Sequence, residues 1–398
     1  MTGAPLTDAG TEEKPLPRRA LVGLLGGLFA GYLGLTAVIP VLPGFLRERH
    51  GAGDLTVGVV VTVTAVTALL VRPVAGALAD RYGHRTVMLT GALVVAAGGL
   101  LYLAPLGVPA LVVVRLLLGA GEAALFTAGA VWIVQLAPHH RRGQLIGLYG
   151  VSMWGGISAG TFLGATVQQA GYPAVWALSA AAPAVGAALV ALVPAPPRTA
   201  PAARGGGLLL RPALLPGVAL TFGAAGYAGL AAFVVLHLDA RGIGHGVVVL
   251  SCFSAVYAGT RLVIGHLPDR LGPRRVATWC GVGEAVGLLV IAVAPNLPVA
   301  VVGSVVMGVG FSLLHPSLAL MVMNRTEPAR QGAAIGAYTS FWDLGLAVWG
   351  PATGLVAAGF GYPAVFVAGA AGAMVAAAMA LRIGRPAVTE TPMEVRAR

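Results

Sequence analysis

Four charged side chains and a histidine stand where a chain this apolar can least accommodate them. Arg115 and Glu122 fall in RLLLGAGEAALFTAG, Glu284 in the apolar run at 276 to 294, His315 just before Pro316, and Asp343 in GAYTSFWDLGLAVWGPATG. Arg115 and Glu122 are seven residues apart, so on a helix they share a face about 10 Å apart along the axis and cannot touch each other. An ionisable group at the centre of a bilayer costs about 2.5 to 3.5 kcal/mol even on the lenient insertion scale, so each needs a partner, water or a cavity. A carboxyl in such a place can hold a proton while dry and release it when a cavity opens to water. Glu122 and Asp343 are therefore candidate proton carriers, and Glu284 and His315 are further candidates. The plainer alternatives are a structural Arg–Glu pair, a helix-packing hydrogen bond at Asp343 or Glu284, and a satisfied core group at His315. Aromatic residues at Tyr32, Phe126, Trp154, Tyr227, Phe311, Tyr338 and Trp342 are candidates to line a cavity, or ordinary packing groups.

The elements that must position these residues follow from composition. The 398 residues are 57% hydrophobic and only 10% charged, with mean hydropathy +0.86, whereas a soluble domain carries about 25% charged residues. A membrane-spanning helix needs roughly 20 apolar residues. Apolar runs fit twelve of them, at 20–46, 55–79, 87–104, 108–135, 144–169, 173–194, 213–238, 247–267, 276–294, 298–323, 332–358 and 363–382. The expected organisation is an N-terminal tail at 1–19, a six-helix bundle at 20–194, a linker at 195–212 (APPRTAPAARGGGLLLRP), a second bundle at 213–382 and a tail at 383–398. Cys252 and Cys280 have no paired spacing and read as packing residues. The start is polar, and no cleavable signal peptide is read there.

Orientation is set by Lys and Arg counts. With the N-terminus inside, 19 of the 25 basic residues fall on the inner side and three, Arg47, Arg49 and Arg241, on the outer, which predicts both termini in the cytoplasm of a bacterial inner membrane. The excess of 25 basic over 14 acidic residues is thus a topology signal, and no nucleic-acid partner is expected. Arg72, Arg115 and Arg261 are left over, within or at the ends of spans.

The halves repeat. RPVAGALADRYGHR at 72–85 and RLVIGHLPDRLGPR at 261–274 share Arg, Gly, Asp, Arg, Gly and Arg at a constant offset of 189, and GYPAVW at 171 answers GYPAVF at 361. Gly119 and Gly121 likewise answer Gly308 and Gly310. Two six-helix halves related by an axis along the membrane normal, with a site between them near the midplane, are the build of one large class of secondary transporters.

Gly76, Asp80, Arg81, Gly83 and Arg85, with the second copy at Gly265, Asp269, Arg270, Gly272, Arg274 and Arg275, resemble the signature loop of the major facilitator superfamily over essentially the whole chain. In physical terms an Asp at a helix end beside arginines can latch two bundles through charge-assisted hydrogen bonds; the alternative is that these charges merely stop the helices at the interface. The Arg-x-x-x-Gly run of Arg115 and Gly119 resembles the fourth-helix motif of proton-coupled members, which implies that Arg115 biases proton occupancy of a nearby carboxylate. Gly-x-Gly-Glu in the fourth span, Glu284 in the ninth and the aromatic Asp-Leu-Gly helix before Gly350 and Pro351 together resemble the efflux branch once described as arabinose-efflux permeases, exporters of drugs, sugars or metallophores. The ninth helix of this family is peripheral to its cavity. Pro40 and Pro43 with Tyr32 resemble the family's proline-rich outer end of the first helix. One departure is the fifth span, GVSMWGGISAGTFLG, which has Gly155 and Gly156 but lacks the proline usual in antiporters.

The resemblance implies an all-α, twelve-helix transporter working as a monomer on a small-molecule substrate and protons, in contact with lipid, with no cofactor. No phosphate-binding loop, metal-ligand pattern or nucleophile elbow is read, so energy is expected from a gradient and no enzyme activity. An exporter of a cationic or amphipathic compound by proton antiport is the leading expectation. A proton symporter or uniporter importing a nutrient and a non-transporting ligand sensor stand beside it.

Overall fold

The computed structural model describes residues 18–136, 142–194, 211–327 and 331–383. The expected tails and most of the linker, at 1–17, 195–210 and 384–398, lie outside the described residues. Among those described, fifteen α-helices run in order: α1 Arg18–Ala37, α2 Leu42–His50, α3 Asp54–Thr62, α4 Thr64–Tyr82, α5 His84–Leu101, α6 Val108–Leu136, α7 Arg142–Val167, α8 Tyr172–Ala191, α9 Arg211–Ala240, α10 Gly246–Ile264, α11 Leu267–Leu271, α12 Pro273–Val293, α13 Leu297–Met323, α14 Gln331–Phe360 and α15 Tyr362–Arg382. Ten segments among the described residues are long and apolar enough to cross a membrane, α1–α2 and α3–α4 each counting as one. With α7 and α14, 26 and 30 residues long, the twelve expected spans are all helical.

The expected first and second spans are each interrupted. Between α1 and α2 the chain turns over Val38–Val41, and Pro43 enters the first turn of α2, where a missing N–H costs least. Between α3 and α4 the break falls at Val63, where Val63 N bonds to the Val59 carbonyl and Val66 N reaches back only three residues to the Val63 carbonyl. No Pro or Gly marks that break, and its cause lies on another helix, as described below.

The repeated glycines now have a reason. Gly83 and Gly272 close the two signature loops at φ of 95° and 89°, and Gly171 and Gly361 open the two Gly-Tyr-Pro helices at 95° and 80°, a region where an L side chain is strained. Each half is a bundle of its own: α1 packs on α7 and α8, α5 on α6 and α8, and α4 on α6, while α12 packs on α13 and α15, α9 on α14 and α15, and α10 on α13. Between the halves, α3 and α4 meet α14, α7 meets α10, and α2 and α3 meet α9.

Those contacts are unevenly spread along the membrane normal. At the end remote from Arg18 and Ile383, called here the far end, α3 lies so close to α14 that a Cβ on Gly58 would overlap the Gly350 carbonyl and one on Gly350 would overlap Thr62. Tyr362 donates to Asp54 Oδ1 at 3.2 Å, and Arg47 pairs with that same carboxylate. Ser158 donates to the Ser254 carbonyl at 2.6 Å across the halves. The side-chain bonds of Arg72 to Asp343, Ser158 to Ser254 and Tyr362 to Asp54 join the halves from the level of Arg72 towards the far end.

Candidate functional site

The centre of the molecule is built on a residue from the second span, Arg72 of α4. Its Nε donates to Asp343 Oδ2 of α14 at 2.5 Å and its Nη2 to Oδ1 at 3.1 Å, a two-point pair joining the halves. The same Nη2 stands 3.7 Å from Glu122 Oε1 of α6, and Tyr32 of α1 donates to that oxygen at 3.1 Å. Side-chain exposure is 10% for Arg72, 16% for Glu122 and 3% for Asp343. Two carboxylates therefore share one guanidinium. The geometry is unequal: Asp343 holds both the fork and the shorter bond, while Glu122 is held by a looser ion pair and a phenol. Nη1 of Arg72 is buried without a partner among the described residues, and a buried donor left unmade costs about 1 to 3 kcal/mol. Phe126 lies under the guanidinium, 5.0 Å from its ring centre.

An aromatic wall continues towards the second bundle. Trp154 of α7 sits 3.9 Å from Tyr257 of α10 and 6.3 Å from Trp342, centre to centre. Tyr227 and Phe311 stack at 6.0 Å, and each lies within 6 Å of Trp342. Of the aromatic candidates, Tyr32 and Phe126 thus border the charged centre, and Trp154, Tyr227, Phe311 and Trp342 form one cluster across the halves. Tyr338 stands apart, fully buried in the second bundle and donating to the His315 carbonyl at 2.8 Å.

The other sequence candidates are scattered. Arg115, 2% exposed, is not in an ion pair with either carboxylate. Its Nε donates to the Val60 carbonyl at 2.9 Å and its Nη2 to that of Val61, and a Cβ on Gly119, one turn on, would overlap the Thr64 carbonyl. Arg115 and Gly119 thus clasp the broken second span on both sides of Val63. Glu284 is fully buried inside the second bundle with both oxygens unpartnered, pressed by Gly226 of α9 and Gly310 of α13. The helix-packing hydrogen bond expected as the plainer reading of Glu284 is not seen among the described residues. In the signature loops Asp80, Arg81, Asp269, Arg270 and Arg274 are exposed, Gly76, Gly83, Arg85 and Gly265 are partly so, and Arg85 donates within its own half to the Ala191 carbonyl.

Arg72 is the residue the sequence reading left unassigned. The signal was present: an arginine inside an apolar run, repeated 189 positions on as Arg261.

Known proteins agree with this architecture. The sequence profile of the Major Facilitator Superfamily matches residues 24–250 and 214–397. An uncharacterized MFS-type transporter of Burkholderia mallei is 31% identical over 383 residues, covering 92% of this chain and 94% of that one. The uncharacterized MFS-type transporter YhhS of Escherichia coli is 33% identical over 377 residues and 92% of each chain. Among solved structures, a bacterial homologue of the human lysosomal transporter Spinster, inward-facing and occupied, superposes with a TM-score of 0.79 at 16% identity, covering 93% of this chain and 97% of that one. The nucleoside transporter NupG gives 0.74 at 16% identity, covering 92% and 100%. These two likenesses concern the fold. With two repeated bundles, a charged centre between them and full-length relatives of one kind, the chain belongs to the major facilitator superfamily: it is a multi-pass membrane transporter and not an enzyme.

Proposed function

We propose that this transporter is a proton-coupled exporter of a small organic molecule, working as a monomer in the bacterial inner membrane with both termini in the cytoplasm. The observation that carries the reading is the sharing of Arg72 between Asp343 of one bundle and Glu122 of the other. With both carboxylates ionised the centre holds one net negative charge. Protonating Glu122 makes it neutral, the state a buried site favours. A proton on Glu122 and a cationic group of the cargo are then alternatives for the same charge balance, which is the requirement of antiport. Asp343, tied to Arg72 by two bonds, acts as the fixed member, and Glu122 as the exchanging one.

The transport cycle is rocking of the two bundles about this centre. With the far end sealed by α3 on α14 and the charges of the two signature loops exposed, the present state receives cargo from the cytoplasm. Cargo displaces the proton to the inner side, the bundles rock, and protons from outside displace the cargo. In the opposite state the two signature loops, exposed here, come together as the latch, Asp80 and Asp269 facing arginines of the other half. The aromatic cluster at Trp154, Tyr227, Phe311 and Trp342 suits an amphipathic body.

The test is proton movement in everted vesicles that hold a pH-sensitive dye, energised and then challenged with cationic, neutral and zwitterionic compounds. Proton release on adding a compound, absent in Glu122→Gln while folded protein stays in the membrane, supports antiport. Wild-type release in both Glu122→Gln and Asp343→Asn overturns the coupling assignment, and proton uptake with cargo in place of release would make the carrier a symporter.

A further inference from the structure

Arg261 is the repeat counterpart of Arg72, and it has kept the cation while its surroundings have lost the acids. At the same offset of 189, Glu122 is answered by Phe311; at the offset of 190 that aligns the two Gly-Tyr-Pro runs, Asp343 is answered by Met153. Among the described residues no carboxylate pairs with Arg261. Its Nη1 donates to the Tyr257 hydroxyl at 3.0 Å, and its Cζ lies 5.8 Å from that ring. The Arg261 side chain is only half-buried.

The direction it faces follows from the helix. Tyr257 and Arg261 are four residues apart and share one face of α10. The Tyr257 ring packs on Trp154 of the opposite bundle, so that face looks into the gap between the halves. Arg261 stands about 6 Å nearer the near end, away from the sealed far end where α3 meets α14. An unneutralised guanidinium facing such a gap has five N–H donors in a planar fork, and a carboxylate is its geometric complement.

We propose that Arg261, with the Tyr257 hydroxyl beside it, is an anion subsite of the transport path, and that the cargo carries a carboxylate in addition to the apolar or cationic part received by the aromatic cluster and Glu122. The proposal rests on the exporter reading only in taking the gap between the bundles as the cargo's path. Proton coupling can fail without touching it.

The test is chemical labelling of the full-length protein in vesicles with phenylglyoxal, an arginine reagent, mapped by mass spectrometry. Arg261 is labelled and Arg72, held by two carboxylates, is not. Phenylalanine or 3-phenylpropionate lowers labelling of Arg261 about tenfold, the scale of one charge-assisted pair, and their methyl esters leave it unchanged. Labelling that no carboxylate protects, or that the esters reduce equally, overturns the subsite and makes Arg261 an arginine that merely reaches towards the membrane surface. Protection by phosphatidylglycerol vesicles relative to phosphatidylcholine ones, with no effect of the soluble acids, assigns the charge to a lipid and overturns the cargo proposal. A second arm reads fluorescence of Trp154 and Trp342: Arg261→Gln weakens phenylalanine binding about tenfold and leaves the methyl ester unchanged. Retention of the carboxylate preference in Arg261→Gln also overturns it.

Discussion

The two halves carry the same backbone plan and opposite chemistry at equivalent places. In the first half, the second span is broken at Val63, Arg115 occupies the freed carbonyls, and Arg72 reaches two carboxylates. In the second half, the position equivalent to Val63 is Cys252, inside an unbroken α10. The position equivalent to Arg115 is Ser304, which bonds to the Val301 carbonyl of its own helix at 2.8 Å, and Arg261 has only a phenol. Duplication supplied a symmetric frame. Function then loaded one half with an ion-pair network and a joint, and left the other as an aromatic wall beside Arg261, which among the described residues has no carboxylate partner.

The largest expected difference lies between the two arginines. Arg72→Gln leaves Asp343 buried at 3% exposure without its partner, and removing one member of a buried pair costs about 3 to 5 kcal/mol. Arg261→Gln strands no carboxylate and is expected to change stability by less than about 1 kcal/mol. Thermal unfolding of the purified variants in detergent compares them directly. Equal losses would mean that Arg261 is as structurally committed as Arg72, and the contrast between the halves would collapse.

A second contrast runs between the two ends. A Cβ on Gly58 meets the Gly350 backbone, whereas one on Gly76 of the signature loop finds only Thr127 Cγ2, at 3.9 Å. Gly58→Ala is therefore expected to destabilise the sealed far end by about 1 to 3 kcal/mol, as overpacking does, and Gly76→Ala to have little effect in this state. Labelling of a single cysteine placed at Leu55 by a membrane-impermeant maleimide reads the seal. Higher labelling in Gly58→Ala than in Gly76→Ala is expected, and the reverse order would place the closed end elsewhere.

What the sequence made legible tracks how local each determinant is. The spans follow from apolar run length, and the repeat exposes the two-bundle plan and the positive-φ glycines. Glu122 and Asp343 were readable because an acid in an apolar run stands out. Their partner was not singled out among Arg72, Arg115 and Arg261, because which arginine faces a carboxylate 271 residues away depends on how the bundles dock. The resemblance of Arg115 and Gly119 to the fourth-helix motif implied an arginine acting on a nearby carboxylate, yet its guanidinium turns towards the carbonyls of Val60 and Val61. The break at Val63 has no Gly or Pro to announce it, because its stabilising group is on another helix.

That joint gives the next expected effect. Arg115→Gln removes two charged donors from the α3–α4 break and is expected to cost about 1.5 to 3 kcal/mol; Ser304→Ala at the equivalent place, losing one local bond, about 0.5 to 1.5 kcal/mol. Hydrogen exchange across residues 60–66 against 249–255 distinguishes them. Faster exchange confined to 60–66 in Arg115→Gln supports a clasp on the second span. Unchanged exchange there would leave Arg115 as a group acting on Glu122 through the field alone.

The smallest effect is expected at Tyr32, and it separates the roles of the two carboxylates. The phenol gives Glu122 its one hydrogen bond, at 3.1 Å, while Asp343 takes its two from Arg72. Tyr32→Phe removes about 0.5 to 1.5 kcal/mol of interaction from Glu122 and none from Asp343, with the ring kept for its edge contact to Phe126 at 6.5 Å. If Glu122 is the exchanging member, proton release per cargo changes several-fold in Tyr32→Phe while the stability of the Arg72–Asp343 pair, read by unfolding, is unmoved. If unfolding shifts and proton release does not, the phenol serves packing, and the exchanging proton belongs on Asp343.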